Sequence, residues 1–167
     1  MIRHASEAGE WETVLRAPDP RLRPYVTRYA GWVERTTFVT RRELPSTAVV
    51  VIFSFRHGLK ITHNVLGSET LRVQRAFVGG ISDAYVTTAS DGETAGLQVN
   101  FTPIGASLFF GMPMTEVANR SVELEDFIGP RAYRLLAQIE DTPDWETRFL
   151  LLEREILRRL AIADLHR

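Results

Sequence analysis

Two successive residue patterns predict an α+β fold, in which an antiparallel β-barrel or sandwich is followed by a helical segment. Residues from about 26 to 101 form short apolar or alternating runs, rich in the β-branched and aromatic side chains that favour strands. Residues from about 102 to 165 instead carry apolar side chains at helical spacing, with proline at the expected helix starts. A chain of 167 residues suits one well-packed domain, so we expect a single domain over residues 1–167.

Closely spaced strands are predicted throughout the first part of the chain. The run 47–55 is apolar on both faces, as expected for a strand packed between two layers, and 59–65 follows the turn 56–58 as its partner strand. The other strands are predicted at 29–39, 70–78, 83–90 and 93–101. Asp91-Gly92 separates the last two and favours a two-residue type I′ hairpin. Short turns of this kind are typical of antiparallel barrels and sandwiches.

Helices are predicted after Phe101, where the apolar spacing changes. Thr102-Pro103 has the pattern of an N-cap followed by proline at the first helical position, and Gly111 favours the end of this first helix. A second helix is predicted at 130–140, and a last one from Pro143 to about Ala163. The apolar residues of the last helix recur at helical spacing: Trp145, Phe149, Leu152, Ile156 and Leu160.

Charge and composition exclude several classes of function. The 20 basic and 21 acidic residues leave a net charge of -1, without the basic excess that nucleic-acid binding usually needs. The absence of cysteine excludes disulfides, thiolate metal sites and cysteine nucleophiles, and it suits a reducing compartment. No apolar signal segment opens the chain, and the longest apolar run, 48–53, is too short to span a bilayer. We therefore expect a cytoplasmic protein without membrane contact.

A catalytic elbow is not expected at the joint between strand and helix. Hydrolase elbows have the pattern Gly-x-Ser-x-Gly with an acid and a histidine downstream. Here Gly105 and Ser107 are followed by Phe109, and the only downstream histidine is His166. Gly105 and Ala106 are better interpreted as small residues that let the helix approach the sheet closely. No catalytic residue is predicted.

A metal or cofactor site is not predicted either. Of the four histidines only His57 and His63 are close in sequence, and no His-x-His pair occurs. Gly79-Gly80 lacks the Lys-Ser or Lys-Thr of a phosphate-binding loop and is interpreted as a turn or bulge between strands. We expect no cofactor.

A small set of residues forms the candidate ligand site. Arg75 shares one strand face with Val73 and Phe77, where it would either bind an anionic group inside a barrel or lie in water at a bulge or edge. The aromatic residues of the strands either line a cavity or fill the core. The candidates are Trp32, Phe53, Phe55, Arg75, Tyr85 and Phe101.

The order of several segments carries a family resemblance. The segments are 22–32, 41–55, 77–80, 96–129 and 134–161, and the most specific phrases are F-x-P-x-G-A at 101–106 and L-x-D-F-x-G at 124–129. Together they resemble the N-terminal regulatory domain of bacterial transcription regulators of the AraC/XylS family. The resemblance covers the chain from about residue 15 onward.

This resemblance implies a cupin-like β-barrel with helices that often dimerise, and in many members the barrel senses a small effector. It implies a regulatory domain without catalysis, with a small-molecule effector and a homodimer as partners. DNA would be bound only through a C-terminal domain with two helix-turn-helix units, which we do not find in this sequence. The last helix would supply the dimer interface through Phe149, Leu152, Ile156 and Leu160.

Other functions stay open on the residues alone. The alternative is a small stand-alone cupin-like enzyme, such as an isomerase or metal-dependent oxygenase, or a ligand-binding protein. A metal site in such an enzyme would be expected near His63. A further possibility is a pure dimerisation domain whose barrel is filled by its own side chains, without a ligand cavity.

Overall fold

The fold consists of two antiparallel sheets followed by helices, which confirms the predicted fold class. A computed structural model describes residues 1–37, 40–65 and 68–165. The strands are β1 (Ile2–Ser6), β2 (Gly9–Arg16), β3 (Val26–Thr36), β4 (Thr40–Glu43), β5 (Val49–Ser54), β6 (Leu59–Val65), β7 (Ser68–Gln74), β8 (Ala76–Gly79), β9 (Val86–Ala89), β10 (Glu93–Phe101) and β11 (Ser121–Glu123). The helices are α1 (Pro103–Phe110), α2 (Glu125–Ile128), α3 (Arg131–Asp141) and α4 (Trp145–Leu165).

The strands divide unequally between a large and a small sheet. The large sheet has the order β1-β2-β3-β10-β5-β8-β11, and the small sheet has the order β4-β9-β6-β7. Neighbouring strands are antiparallel in both sheets. Among the described residues, no helix is long and apolar enough to cross a lipid bilayer.

The main core lies between the large sheet and the helices. Because strand side chains alternate between two faces, the register partners Tyr29, Val99 and Val51 share one face of three central strands, and all three are buried. The ring of Tyr29 lies 6.0 Å from that of Phe149 in α4, and Phe101 lies 5.1 Å from Phe109 in α1. This face of the large sheet is therefore covered by helices, and the opposite face points to the small sheet.

Helix α1 begins and ends as predicted. The Thr102 hydroxyl accepts a hydrogen bond from the Gly105 backbone N–H at 3.0 Å, and Pro103 occupies the first turn. Gly111 ends the helix in the left-handed conformation, with a φ of 73°. A Cβ atom on Gly105 would lie 2.1 Å from the carbonyl oxygen of Tyr25. The interpretation of this glycine as a point of close approach is confirmed, and its contact is the backbone just before β3.

Several strand predictions are wrong because chain connections cross between the sheets. Asp91-Gly92 joins β9 of the small sheet to β10 of the large sheet instead of closing a hairpin. Gly92 has a positive φ of 95° but Asp91 does not, whereas a type I′ turn needs both. The predicted pair of 47–55 with 59–65 fails in the same way, since β5 and β6 belong to different sheets.

The other differences concern element number and boundaries. The predicted strand 70–78 is divided at Arg75 into β7 of the small sheet and β8 of the large sheet. The sequence analysis did not predict β1, β2, β4, β11 or α2, and residues 38 and 39 of the strand predicted at 29–39 lie outside the described residues. Helix α4 begins two residues after the predicted Pro143, because the Asp144 carboxylate accepts the Thr147 N–H at 2.8 Å.

Candidate ligand-binding site

A cavity of about 640 Å³ lies between the two sheets. Residues of the large sheet form one wall: Trp11, Thr13, Trp32, Glu34, Val50, Ile52, Thr94 and Gln98. Arg41, Glu43, Leu59, Thr88, Ala89 and Ser90 form the other. Alternation explains the first wall, since Trp32 and Glu34 are two residues apart on β3, as are Val50 and Ile52 on β5.

The indole ring of Trp32 lies against the large sheet in this wall. Its register partner on β10 is Gly96, where a Cβ atom would lie 2.5 Å from the indole ring. Only glycine leaves the indole this space. The indole N–H donates to the Thr94 hydroxyl at 3.2 Å, which fixes the ring orientation. The cavity therefore has a preorganised aromatic surface.

Charged and polar groups lie beside the aromatic surface. Glu34 is buried, with 8% of its side chain exposed, and forms an ion pair with Arg41, whose side chain is 47% exposed. The Glu43 carboxylate accepts a hydrogen bond from the Thr88 hydroxyl at 3.3 Å. The Gln98 amide donates to Asn100 at 2.6 Å. The lining thus combines apolar walls with a few fixed polar groups, as ligand pockets generally do.

Of the residues predicted to bind a ligand, the structure places Trp32 in the cavity lining. Phe53, Phe55 and Phe101 are buried in the core on the helix side, so these aromatic residues of β5, the residue after it and β10 serve packing. Tyr85 is exposed, and the guanidinium of Arg42 lies 5.1 Å from its ring. Tyr85 does not belong to the cavity lining.

Arg75 lies neither inside the barrel nor free in water. Its guanidinium donates to the Glu140 carboxylate of α3 at 2.6 Å, and the Arg75 side chain is 35% exposed. Of the two interpretations of Arg75, binding of an anion inside the barrel is corrected, because the chain passes from one sheet to the other at this residue. Arg75 instead ties the large sheet to α3.

The residues predicted for a dimer interface are also placed differently. Phe149, Leu152, Ile156 and Leu160 are all buried in the core of the chain itself. They therefore form no exposed surface for a second copy. The solvent side of α4 carries Leu150, 44% exposed, and Ile162, 41% exposed.

The serine of the elbow-like pattern contacts the segment that follows α1. The Ser107 hydroxyl donates to the carbonyl of Met112 at 2.9 Å, and His166 lies outside the described residues. Within the described ranges, no three His, Cys, Asp or Glu side chains are grouped as metal ligands would be. His57 is exposed in the turn after β5, whereas His63 lies within β6.

Most residues of the cavity lining were not predicted from the sequence. Glu34 follows Trp32 by two residues, so the alternation of β3 was a usable signal for it. Trp11 and Arg41 carried no such signal, because their strands β2 and β4 were not predicted. Their positions depend on which strands become neighbours.

Helix α4 contacts the large sheet directly behind the cavity. The indole of Trp145 lies against Gly31, the residue before Trp32 on β3, and its N–H donates to Glu12 of β2 at 3.2 Å. Further along α4, the buried Glu153 accepts from Arg16 at 3.0 Å and from the backbone N–H of Asp19 at 2.8 Å. The cavity wall and this helix therefore share one strand.

Two pKa shifts accompany the packing of α4. Burial, together with the nearby Glu153 carboxylate, raises the pKa of the Tyr29 phenol. Burial also opposes the charged form of Glu155, but hydrogen bonds from Arg158 and Arg131 more than offset it, so the pKa of Glu155 lies below its usual value. Both shifts move the pKa away from neutral pH, so the Tyr29 phenol stays neutral and the Glu155 carboxylate stays charged, as these groups ordinarily are.

Comparisons with known proteins give one family match and several distant structural likenesses. A family model described as a domain of unknown function, DUF6597, matches residues 15–123. A comparison with curated proteins gives no match. Among solved structures, the chain is similar to a mutant of Bacillus subtilis oxalate decarboxylase OxdC, with a TM-score of 0.42 and 11% identity, over 85% of this chain and 37% of that one.

Two further likenesses are to plant proteins. Vicilin from Corylus avellana (hazelnut) aligns with a TM-score of 0.38 and 14% identity, over 61% of this chain and 31% of that one. The 7S globulin of Momordica charantia aligns with a TM-score of 0.37 and 19% identity, over 92% of this chain and 44% of that one. This chain spans less than half the length of each of the three proteins.

Proposed function

This chain belongs to the DUF6597 family, and we propose that it is the regulatory domain of a transcription regulator. A small molecule bound between the two sheets, a homodimer contact, or both would control a C-terminal helix-turn-helix DNA-binding domain. The proposal combines the sequence resemblance to AraC/XylS-family regulators with the cavity. The cavity is the observation that carries it, because its volume of about 640 Å³ lies within the ~300–1,000 Å³ of typical ligand pockets.

The contacts behind the cavity support a route for regulation. Trp32 in the cavity and Gly31 against Trp145 are consecutive residues of β3. A ligand that moves the Trp32 indole therefore acts on the strand that supports the first turn of α4. A ligand that binds more tightly to one arrangement of α4 increases the fraction of molecules in that arrangement. We propose that this change in population is the regulatory signal.

We further propose that the domain binds its ligand without transforming it. Among the described residues of the cavity lining, the two carboxylates are already engaged, Glu34 by Arg41 and Glu43 by Thr88. General acid–base catalysis needs a group held ready to exchange a proton with the substrate. The enzyme alternative predicts stoichiometric metal or turnover in the purified protein, which elemental analysis and product assays would detect.

Blocking the cavity should abolish stabilisation by small molecules. We expect at least one member of a screen of amines, carboxylates and sugars to raise the melting temperature of the wild-type protein. Stabilisation at a hundredfold excess over Kd is about 2.7 kcal/mol. The shift should vanish in Ala89→Trp, which fills the cavity, and persist in Ala137→Trp on the exposed side of α3. Equal shifts in both variants, or none in the wild type, would contradict a ligand site between the sheets.

For the dimer, we propose a contact through the exposed apolar residues of α4. Leu150→Asp places a charge on this surface, so we expect a monomer in sedimentation velocity while the wild type is a dimer. A fusion to a DNA-binding domain that needs dimerisation should lose repression of a reporter in the same variant. Leu15→Asp is the matched control, because Leu15 is 52% exposed and belongs to β2 instead of α4. A wild-type monomer at tens of micromolar would refute the dimer.

A further inference from the structure

The ionisable groups of the cavity point to a ligand class. We propose that the cavity selects a small organic cation, an amine or a guanidine, and that this cation replaces Arg41 as the partner of the Glu34 carboxylate. The inference rests on the proposed function, since it names the ligand of the same cavity. The ligand is thus positively charged, and the Glu34 carboxylate is the group that recognises it.

Glu34 is a fixed, buried carboxylate. It lies on the long strand β3 between its register partners Trp11 on β2 and Thr94 on β10, and 8% of its side chain is exposed. A buried carboxylate costs several kcal/mol unless a cation compensates it. The cavity wall therefore requires a positive partner at this position, whatever supplies it.

The present partner, Arg41, is held much less firmly. Its side chain is 47% exposed, and it belongs to β4, a strand of 4 residues at the edge of the small sheet. Every residue of β4 is exposed. Breaking the ion pair costs the solvent-facing arginine little free energy, because water can hydrate its guanidinium. The buried carboxylate, in contrast, needs another cation in its place. The ion pair is thus built so that the cation can be exchanged.

The aromatic groups around Glu34 suit the same ligand. Trp11 is directly opposite Glu34 on the neighbouring strand, and Trp32 precedes it by two residues on the same face. Indole faces attract cations, most strongly where water is excluded. A cation bound to Glu34 would therefore have an aromatic surface on two sides.

The sum of charges argues against an anionic ligand. Of the described residues that line the cavity, three are charged at neutral pH: Glu34, Glu43 and Arg41. An anion would meet two carboxylates and a guanidinium that is already paired. A cation would meet two carboxylates and one arginine that it displaces toward solvent. Electrostatic complementarity therefore favours the cation.

The test uses agmatine, which carries an amine and a guanidinium, with butyrate and 1,4-butanediol as anionic and neutral probes of similar length. Binding is followed by tryptophan fluorescence and calorimetry. We expect the wild type to bind agmatine and not butyrate. Glu34→Gln, which keeps the side-chain shape, should weaken the binding of agmatine at least about tenfold.

Substitutions of Arg41 should change agmatine affinity in the opposite direction to Glu34→Gln. Arg41→Met removes the internal competitor and should tighten agmatine binding several-fold. Arg41→Lys keeps the charge without the planar fork of donors, and it should tighten binding less. It also provides a folded variant if the uncompensated Glu34 unfolds Arg41→Met. A purely structural ion pair would weaken binding in all three variants, and that result would overturn the inference.

The failure of this inference is separable from that of the proposed function. If butyrate binds and Arg41→Met abolishes its binding, the recognition group is Arg41 and the cation inference is wrong, while a ligand cavity remains. If butanediol binds as tightly as agmatine and Glu34→Gln has no effect, the charge plays no part and the inference again fails. If no probe of any class binds the wild type, the cation inference fails, whereas the proposed ligand site is decided by the thermal screen of amines, carboxylates and sugars.

Discussion

Replacement of Phe149 by alanine is expected to lower the free energy of unfolding by about 3–5 kcal/mol, the cost typical of deleting a buried aromatic side chain. Phe149 is 1% exposed, and its ring lies 6.0 Å from that of Tyr29 and 6.1 Å from that of Trp145. Its removal leaves a cavity where α4 contacts the large sheet. Urea denaturation of the wild type and the variant measures the difference.

An exposed residue of the same helix, away from the proposed dimer contact, provides the control for this substitution. Arg154 is exposed on α4, so Arg154→Ala is expected to change the free energy of unfolding by less than about 1 kcal/mol. A comparable loss in both variants would show that α4 does not bury the face described here. A small loss in Phe149→Ala would show the same, and it would return Phe149 to the candidates for a dimer contact.

The second large effect is expected at Gly105. A Cβ atom at this position would lie 2.1 Å from the carbonyl oxygen of Tyr25 and 2.6 Å from its Cα atom. Backbone atoms do not move aside as a flexible side chain does, so α1 must shift away from the segment before β3. We expect Gly105→Ala to cost about 3 kcal/mol, the upper end of the usual range for overpacking, although alanine is the better helix former.

The adjacent Ile104 serves as the control for Gly105. It is 69% exposed in the same turn of α1, so Ile104→Ala is expected to stay within about 0.5 kcal/mol of the wild type. Thermal and urea unfolding of the two variants test the pair. If Gly105→Ala is as stable as the wild type, α1 and the segment before β3 are not in the close contact described.

The ends of local elements could be predicted because their signals are local. Thr102, Pro103 and Gly111 specify the bounds of α1 through a cap, a missing donor and a left-handed residue. The same holds for the two long helices, whose apolar spacing marks one buried face. No contact with a distant segment is needed for any of these.

The candidate site could be predicted only in part, because both faces of the central strands are apolar. In β5, Val51 and Phe53 pack under the helices, whereas Val50 and Ile52 line the cavity. The alternation separates the two sets but does not indicate which set faces the other sheet. For this reason the sequence predicts both Trp32 and Phe53 as ligand residues, although their side chains lie on opposite faces of the large sheet.

By itself, the sequence determined the fold class, the bounds of α1, and the absence of cysteine chemistry. It also determined that Gly105 must be small, because a strand-to-helix joint with proline and glycine is a local pattern. Only the tertiary structure decided that Asp91-Gly92 connects two sheets, and that Glu34 and Arg41 meet across a cavity. The physical reason is that strand pairing joins residues far apart in the chain. The backbone donors and acceptors of a strand can pair with many other strands, so local sequence does not specify which strand becomes the neighbour.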